Sequence, residues 1–393
     1  MTQASIVYLI DSLGVGGAER LMLPYLHYFL ATDFRPRVCT FQVRDGNPIG
    51  EDIQRLGVPV DLLPVGRLRD PRALPRLVRY LRREQASLLH TQLEFSSTLG
   101  SLAARLTGIP NVCTLHTLDD PQKGTKAYRR LRLMWWSLRH FCDAAIAVSE
   151  RTRRHHIRVG GLPADKVITM YNGVNLSRFA PRDEEARLVT RRSLGISAHA
   201  PVLITVAVLR PLKGIQHMIE AMSSILVAAP QARYVVVGDG EYGATLRELA
   251  RARGVAEHVI FTGVRADVPN LLSISDVFVL PTLDDALPTV LAEAMASHIP
   301  TVASCVGGVP EMVEDGRNGV LVPPGDPSAL ISACVRLLQN PAEAQRMAQA
   351  GYQIASERFN IERQAQRLGE LYRVLMSSER ERGPRADATS AQG

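Results

Sequence analysis

Two carboxylates, Asp285 and Glu293, stand in one segment, Pro281-Thr282-Leu283-Asp284-Asp285-Ala286-Leu287-Pro288-Thr289-Val290-Leu291-Ala292-Glu293-Ala294-Met295-Ala296. The residue types predict a strand ending at Leu280, a polar loop, and a helix with Pro288 in its first turn. Even in continuous helix the two carboxylates would lie about 12 Å apart along the axis, at ~1.5 Å per residue. That is too far for the acid and nucleophile of a retaining glycosidase, which need about 5–5.5 Å. They could instead grip opposite ends of one extended polar ligand, with the amides at 288–290 facing an anionic middle.

A second concentration of chemistry is Arg210-Pro211-Leu212-Lys213-Gly214, directly after the apolar run Val202–Val208; two cations in a strand-to-helix turn fit a diphosphate. Near the start, Gly14-Val15-Gly16-Gly17-Ala18-Glu19 joins Ile6–Ile10 to an apolar helix at Leu21–Leu30. Glycines let backbone approach a ligand, and amides at a helix start favour an anion. The spacing is not the GxGxxG of dinucleotide binders. His116 ends another strand, in Thr114-Leu115-His116-Thr117, where it could face the cleft or serve simply as a satisfied hydrogen-bond donor. Asp119-Asp120 and Asp284-Asp285 lack the further ligands a divalent cation needs, so no metal is expected.

The elements that must position these residues are short β-branched runs alternating with helical stretches. In the first half they are Ile6–Ile10, Arg37–Val43, Val58–Leu63, Ser87–His90, Asn111–Leu115, Ala144–Val148 and Val167–Tyr171. In the second they are Val202–Val208, Arg233–Val237, Val259–Thr262, Val277–Leu280, Thr301–Ser304 and Gly319–Val322. Near-continuous apolar strands with helices between them predict an α/β chain of parallel sheets covered on both faces. Two such arrays, 1–180 and 181–360, predict two doubly wound domains facing a central cleft, with ligands at the carboxyl ends of the strands. A polar, disordered tail is expected over 378–393. The 46% hydrophobic and 22% charged content excludes wholesale disorder. No apolar run reaches the roughly 18–20 residues of a membrane span. The first strand begins almost at Met1, so no signal peptide is expected, and five scattered cysteines (Cys39, Cys113, Cys142, Cys305, Cys334) without a CxxC point to a reducing cytosol.

The net charge of +7 is unevenly placed. Residues 1–180 hold 25 basic against 15 acidic side chains, and the remainder holds 21 against 24. The basic residues concentrate in Arg67, Arg69, Arg72, Arg76, Arg79, Arg82 and Arg83, and in Lys123, Lys126, Arg129, Arg130, Arg132 and Arg139 around Trp135-Trp136. Besides a solvated face, such stretches fit an anionic membrane surface, where each basic residue contributes roughly 1 kcal/mol and the paired tryptophans add interfacial character. With no recognition motif and 5% aromatics, nucleic acid is not an expected partner.

Together these segments resemble the family 4 glycosyltransferases of the GT-B fold, built of two Rossmann-like domains. The likeness spans roughly residues 4–375. It includes Gly16-Gly17-Ala18-Glu19, His116, Tyr171-Asn172-Gly173-Val174 with Phe179, Lys213-Gly214, Val237-Gly238-Asp239-Gly240 and Pro281 to Ala296. It continues through Pro300-Thr301-Val302 and Gly307-Gly308-Val309-Pro310-Glu311 to Asn318-Gly319. The resemblance implies a nucleoside-diphosphate sugar held mainly by the second domain, with Glu293 on the ribose hydroxyls, Asp285 near the donor sugar and Lys213 on the diphosphate. It implies donor contacts from Gly16, Gly17, Arg210, Gly238, Leu287, Pro288, Thr289 and Val290 as well. His116 would lie near the transferred sugar, giving His116, Lys213 and Asp285 as the catalytic set. A last helix, 361–376, is expected to cross back to the first domain.

Three positions depart from the family pattern. Asp285 stands where the family carries Glu, Val208 where it usually carries Arg, and His298 where Gly is common. Arg210, two positions beyond Val208, is the expected substitute. The resemblance implies a retaining, metal-independent, hexosyltransferase-like enzyme with no cofactor. A lipid-linked saccharide in polysaccharide or glycolipid assembly, at the cytoplasmic face of the cell membrane, is the expected acceptor. A small-molecule acceptor, a GT-B nucleotide-sugar epimerase and a non-catalytic nucleotide-sugar binder are the alternatives.

Overall fold

Each of the thirteen β-branched runs forms a strand, and among the described residues these strands pair with one another in parallel. The computed structural model describes residues 3–14, 16–44, 46–65, 70–118, 121–180 and 183–382. Val15, Arg67, Arg69, Asp119, Asp120, Pro181 and the tail from 383 onward lie outside the described residues. The chain divides into two units, Met1–Gly173 with Ile361–Gly393, and Val174–Asn360.

The first unit runs β1 (Ala4–Ser12), α1 (Gly17–Leu30), β2 (Phe34–Gln42), α2 (Pro48–Arg55), β3 (Val60–Leu62), α3 (Ala73–Arg83), β4 (Leu88–Gln92), α4 (Glu94–Thr107), β5 (Asn111–Leu115), α5 (Lys126–Phe141), β6 (Ala144–Ala147), α6 (Glu150–Arg158) and β7 (Val167–Thr169). Its sheet order is β3-β2-β1-β4-β5-β6-β7, so the winding reverses between β1 and β4. Alternation along β1 sends Ile6, Tyr8 and Ile10 to one face and Val7 and Leu9 to the other, and both faces are buried. The first face packs α1 and α2, and the second packs α3 and α4, continuing onto α5 around Cys113 and Leu115.

The second unit runs α7 (Glu184–Ser193), β8 (Val202–Val206), α8 (Ile215–Ala228), β9 (Arg233–Val237), α9 (Gly243–Ala252), β10 (Val259–Gly263), α10 (Val268–Ser273), β11 (Val277–Leu280), α11 (Thr289–Ala296), β12 (Thr301–Ser304), β13 (Gly319–Val322), α12 (Pro327–Gln339) and α13 (Pro341–Arg358). The sheet order β10-β9-β8-β11-β12-β13 repeats the reversal, here between β8 and β11. One core collects the stripe Ile215, Met218, Ile219, Met222 and Ile225 of α8 against Leu203, Tyr234, Val236, Val277 and Val279. Asp183 and Asp326 cap α7 and α12 by accepting from Ala186 N at 2.8 Å and Ala329 N at 3.0 Å. Such caps are worth about 1 kcal/mol each.

The last helix, α14 (Ile361–Arg382), belongs to the first unit. Tyr372 is fully buried against Phe29 and Phe34, its hydroxyl is 2.9 Å from that of Tyr8, and Arg373 pairs with Asp33 at 2.7 Å. The helix passes Ser378, where composition predicts a tail, and continues to Arg382. Its apolar stripe already fixes the helical path, and a polar continuation costs a helix little.

Candidate active site

In a doubly wound sheet the crevice opens where the strand order reverses, because the loops after the two central strands diverge there. In the second unit those strands are β8 and β11. The loop after β8 carries Lys213 and the loop after β11 carries Asp285. The fold brings these residues, 72 apart in sequence, together: Lys213 Nζ lies 2.6 Å from Asp285 Oδ2, with side chains 27% and 17% exposed.

Backbone cinches hold the pair. Gly214 has φ 67°, and a Cβ there would overlap the Pro281 carbonyl oxygen. Leu283 N donates to Leu212 O at 2.7 Å and Thr282 Oγ1 donates to the same carbonyl at 3.1 Å, tying the two loops to each other. On the other side Gly308 N donates to Asp285 O at 3.0 Å, and Gly307 (φ 55°) lies too close to that carbonyl for any side chain. Gly238 is as constrained, its missing Cβ leaving room for the Ala207 carbonyl.

Pro288 is the N-cap of α11 rather than a residue of its first turn, and Leu287 beside it is buried. Proline has no N–H, so the sequence expectation of amides at 288–290 reduces to those of Thr289 and Val290, which helix geometry leaves without intrahelical acceptors. Glu293, half-buried, lies in the second turn of α11. Arg210 is exposed at the head of the Pro211–Lys213 turn and forms no salt bridge among the described residues, while Val208 is 46% exposed. At His298 the family's preference for glycine has a physical basis, since the residue adopts φ 56°. Its imidazole stacks on Tyr352 with centroids 4.2 Å apart.

The first unit carries a second polar cluster at its own reversal point. Gly16 is the N-cap of α1, and a Cβ there would overlap the Glu19 carboxylate; the space beside Gly17 is open. Glu19 is buried, which raises its pKa, against the lowering effect of its own backbone N–H and of Arg44. Its carboxylate thus serves in part as the anion that the sequence expects at this helix start.

His116, just beyond β5, has Nε2 3.1 Å from Gln92 Oε1, and burial lowers its pKa to about 4. Beneath it, His90 is bracketed by the Tyr372 hydroxyl at Nδ1 and by Thr114 Oγ1 at 2.7 Å from Nε2; burial, with the nearby His116, lowers its pKa to about 3. These groups line a hollow of ≈ 30 Å³, room for about one water. Sequence reasoning missed Gln92 and His90: it ended the strand at His90, whereas β4 runs to Gln92. The alternation His90, Gln92 was the signal that both side chains share one face.

Trp135 is also corrected. It is buried, with Nε1 donating to His156 Nδ1 at 2.9 Å, whereas Trp136 is 46% exposed. Among the described residues no three His, Cys, Asp or Glu side chains converge, and no helix is long and apolar enough to cross a membrane.

Residues 15–178 match the model of "Glycosyltransferase Family 4" and residues 187–354 that of "Glycosyl transferases group 1". The chain is 28% identical over 306 residues to the alpha-D-kanosaminyltransferase of Streptomyces kanamyceticus, covering 75% of this chain and 79% of that protein. It is 27% identical over 296 residues to the UDP-Gal:alpha-D-GlcNAc-diphosphoundecaprenol alpha-1,3-galactosyltransferase of Escherichia coli, covering 74% and 76%. In fold it resembles Anabaena Alr3699/HepE, solved in complex with UDP. The TM-score is 0.85 and the identity 24%, over 94% of this chain and 100% of the other.

Proposed function

We propose, from the premise that this chain belongs to glycosyltransferase family 4 and moves a sugar from a nucleotide-sugar donor, that it does so with retention of configuration onto a lipid-linked saccharide. The observation that carries the reading is the Lys213–Asp285 pair at the reversal point of the second sheet, next to the start of α11. Lys213 lies beside the diphosphate, with Arg210 adding a second cation and the amides of Thr289 and Val290 further donors. Glu293 accepts from the ribose hydroxyls, and Asp285 faces the sugar hydroxyls while holding Lys213. His116 lies near the transferred sugar.

The bond from the anomeric carbon to the diphosphate oxygen breaks as the bond to the acceptor oxygen forms on the same face. The acceptor's proton passes to the departing diphosphate, so the products are a glycoside and a nucleoside diphosphate. Charge grows mainly on the leaving group, and preorganised donors aimed at it lower the barrier more than any other group in the site. In this reading those donors, not a metal, take up the charge.

The lipid acceptor rests on the first unit. α4 packs between α3 and α5, and all three cover the same sheet face, so the basic residues of α3 and α5 lie on one side of the sheet. α3 exposes Arg76, Arg79, Arg82 and Arg83; α5 exposes Arg129, Arg132, Leu133 and Trp136. Cations around exposed Leu and Trp suit an anionic bilayer surface, in keeping with an enzyme that works at the cytoplasmic face of the membrane. The similarity to an enzyme whose acceptor is a diphosphoundecaprenol supports this, and the similarity to a kanosaminyltransferase is the counterweight. Flotation with anionic vesicles at low salt is the test. Co-flotation that is weakened by salt and by Trp136→Ser is expected, and failure to float removes the membrane acceptor.

A further inference from the structure

Gln92 ends β4, and the next residue, Leu93, has φ 71° and ψ 177°. A leucine at such a φ costs on the order of 1–3 kcal/mol and persists only where its surroundings over-determine it. They do so here. The Asp11 carboxylate, at the end of β1, accepts from Phe95 N at 3.1 Å, Ser96 N at 2.7 Å and Ser96 Oγ at 2.6 Å. The Ser96 hydroxyl also contacts the Gln92 carbonyl, and Ser97 N donates to Leu93 O at 3.1 Å. The first turn of α4 is thereby clamped onto the end of β1, and the chain must turn sharply between Gln92 and Glu94.

The turn fixes the Gln92 side chain, which is 6% exposed, with Oε1 3.1 Å from His116 Nε2. An amide oxygen only accepts, so with Gln92 Oε1 facing the ring this contact favours the tautomer protonated at Nε2, which leaves Nδ1 as the acceptor nitrogen. We propose that Gln92 is a positioning residue for His116: the strained turn at Leu93 and the Asp11–Ser96 clamp hold its amide so that the imidazole stays Nε2-protonated and offers Nδ1 to a donor-sugar hydroxyl. The proposal rests on the reading that His116 lies near the transferred sugar. Its structural half, the tautomer, is tested independently of that reading.

The experiment is long-range 1H–15N correlation of the histidine side chains in the full-length protein, combined with turnover. Wild type and Gln92→Glu, which keeps an accept-only oxygen at the same reach, should show His116 protonated at Nε2. Gln92→Leu should lose that preference and lower kcat, with donor KM changed far less, and Gln92→Glu should restore much of the rate. A His116 that is Nδ1-protonated in wild type, or a tautomer unmoved in Gln92→Leu, overturns the positioning role. A shifted tautomer with unchanged turnover in both Gln92→Leu and His116→Ala overturns instead the placement of His116 at the sugar.

Discussion

Replacing Lys213 with methionine separates what the lysine does for the fold from what it does for the reaction. Its Nζ is 2.6 Å from Asp285 Oδ2, and the side chains are 27% and 17% exposed, so the pair is partly desolvated. Removing the ammonium strands a carboxylate that water reaches in part, which costs about 1–2 kcal/mol, below the 3–5 kcal/mol of a fully buried broken pair. Against a typical stability of roughly 5–15 kcal/mol the protein stays folded. If the same ammonium stabilises the departing diphosphate, its loss removes about 2.7–4 kcal/mol from the transition state, a fall of roughly 10²–10³ in kcat. The assay is release of nucleoside diphosphate at saturating donor, with melting followed on the same samples. Asp285→Asn breaks the same pair and keeps the ammonium, so its melting should drop comparably and its rate should fall less. A Lys213→Met variant that melts earlier yet turns over like wild type would refute the role.

Acid stability is a second expectation. Burial lowers His90 to about 3, from an ordinary 6.5, so the native state favours the neutral ring. That contribution is complete above pH 6.5 and is lost as pH falls through 6.5 toward the folded value. For His90, 2% exposed, the loss at pH 5 is about 2 kcal/mol. Fluorescence of Trp135 and Trp136, both in the first unit, should show this pH dependence flattened in His90→Gln; an unaltered slope would contradict the assignment. At His298 the left-handed φ costs about 1–2 kcal/mol and stacking on Tyr352 returns about 0.5–1.5 kcal/mol. His298→Gly should therefore be nearly neutral in denaturant unfolding, while His298→Ala, which keeps the strain and loses the stack, should be the less stable of the two.

Much of the fold was legible because fully buried parallel strands read as unbroken apolar runs, whatever their neighbours. Ends were harder. Thr91 and Gln92 continue β4 with polar side chains at a carboxyl edge, where sequence alone reads a turn. The left-handed turn at Leu93 carries no glycine to announce it. Pro36 sits within β2, paired opposite Ile6, where a proline argues against a strand. The tryptophans were misread for a geometric reason. Adjacent helical residues diverge by about 100°, so two neighbours cannot share a face. The spacing Leu131, Met134, Trp135, Leu138 already marked the inward stripe. Lys213, Asp285 and Glu293 were identifiable as candidates from their turns and the family motif. Contact between the first two was not, because it depends on which strands adjoin across the reversal of the sheet.

The central claim is that the β8 and β11 loops, with α11, hold a nucleoside diphosphate. Calorimetric titration of the purified chain with UDP, GDP and ADP addresses it without needing the acceptor. At least one should bind and, at 100 times its Kd, stabilise the protein by about 2.7 kcal/mol, with affinity sharply reduced in Glu293→Ala and Lys213→Met. Absence of binding by all three, or binding that both substitutions leave intact, would contradict the account.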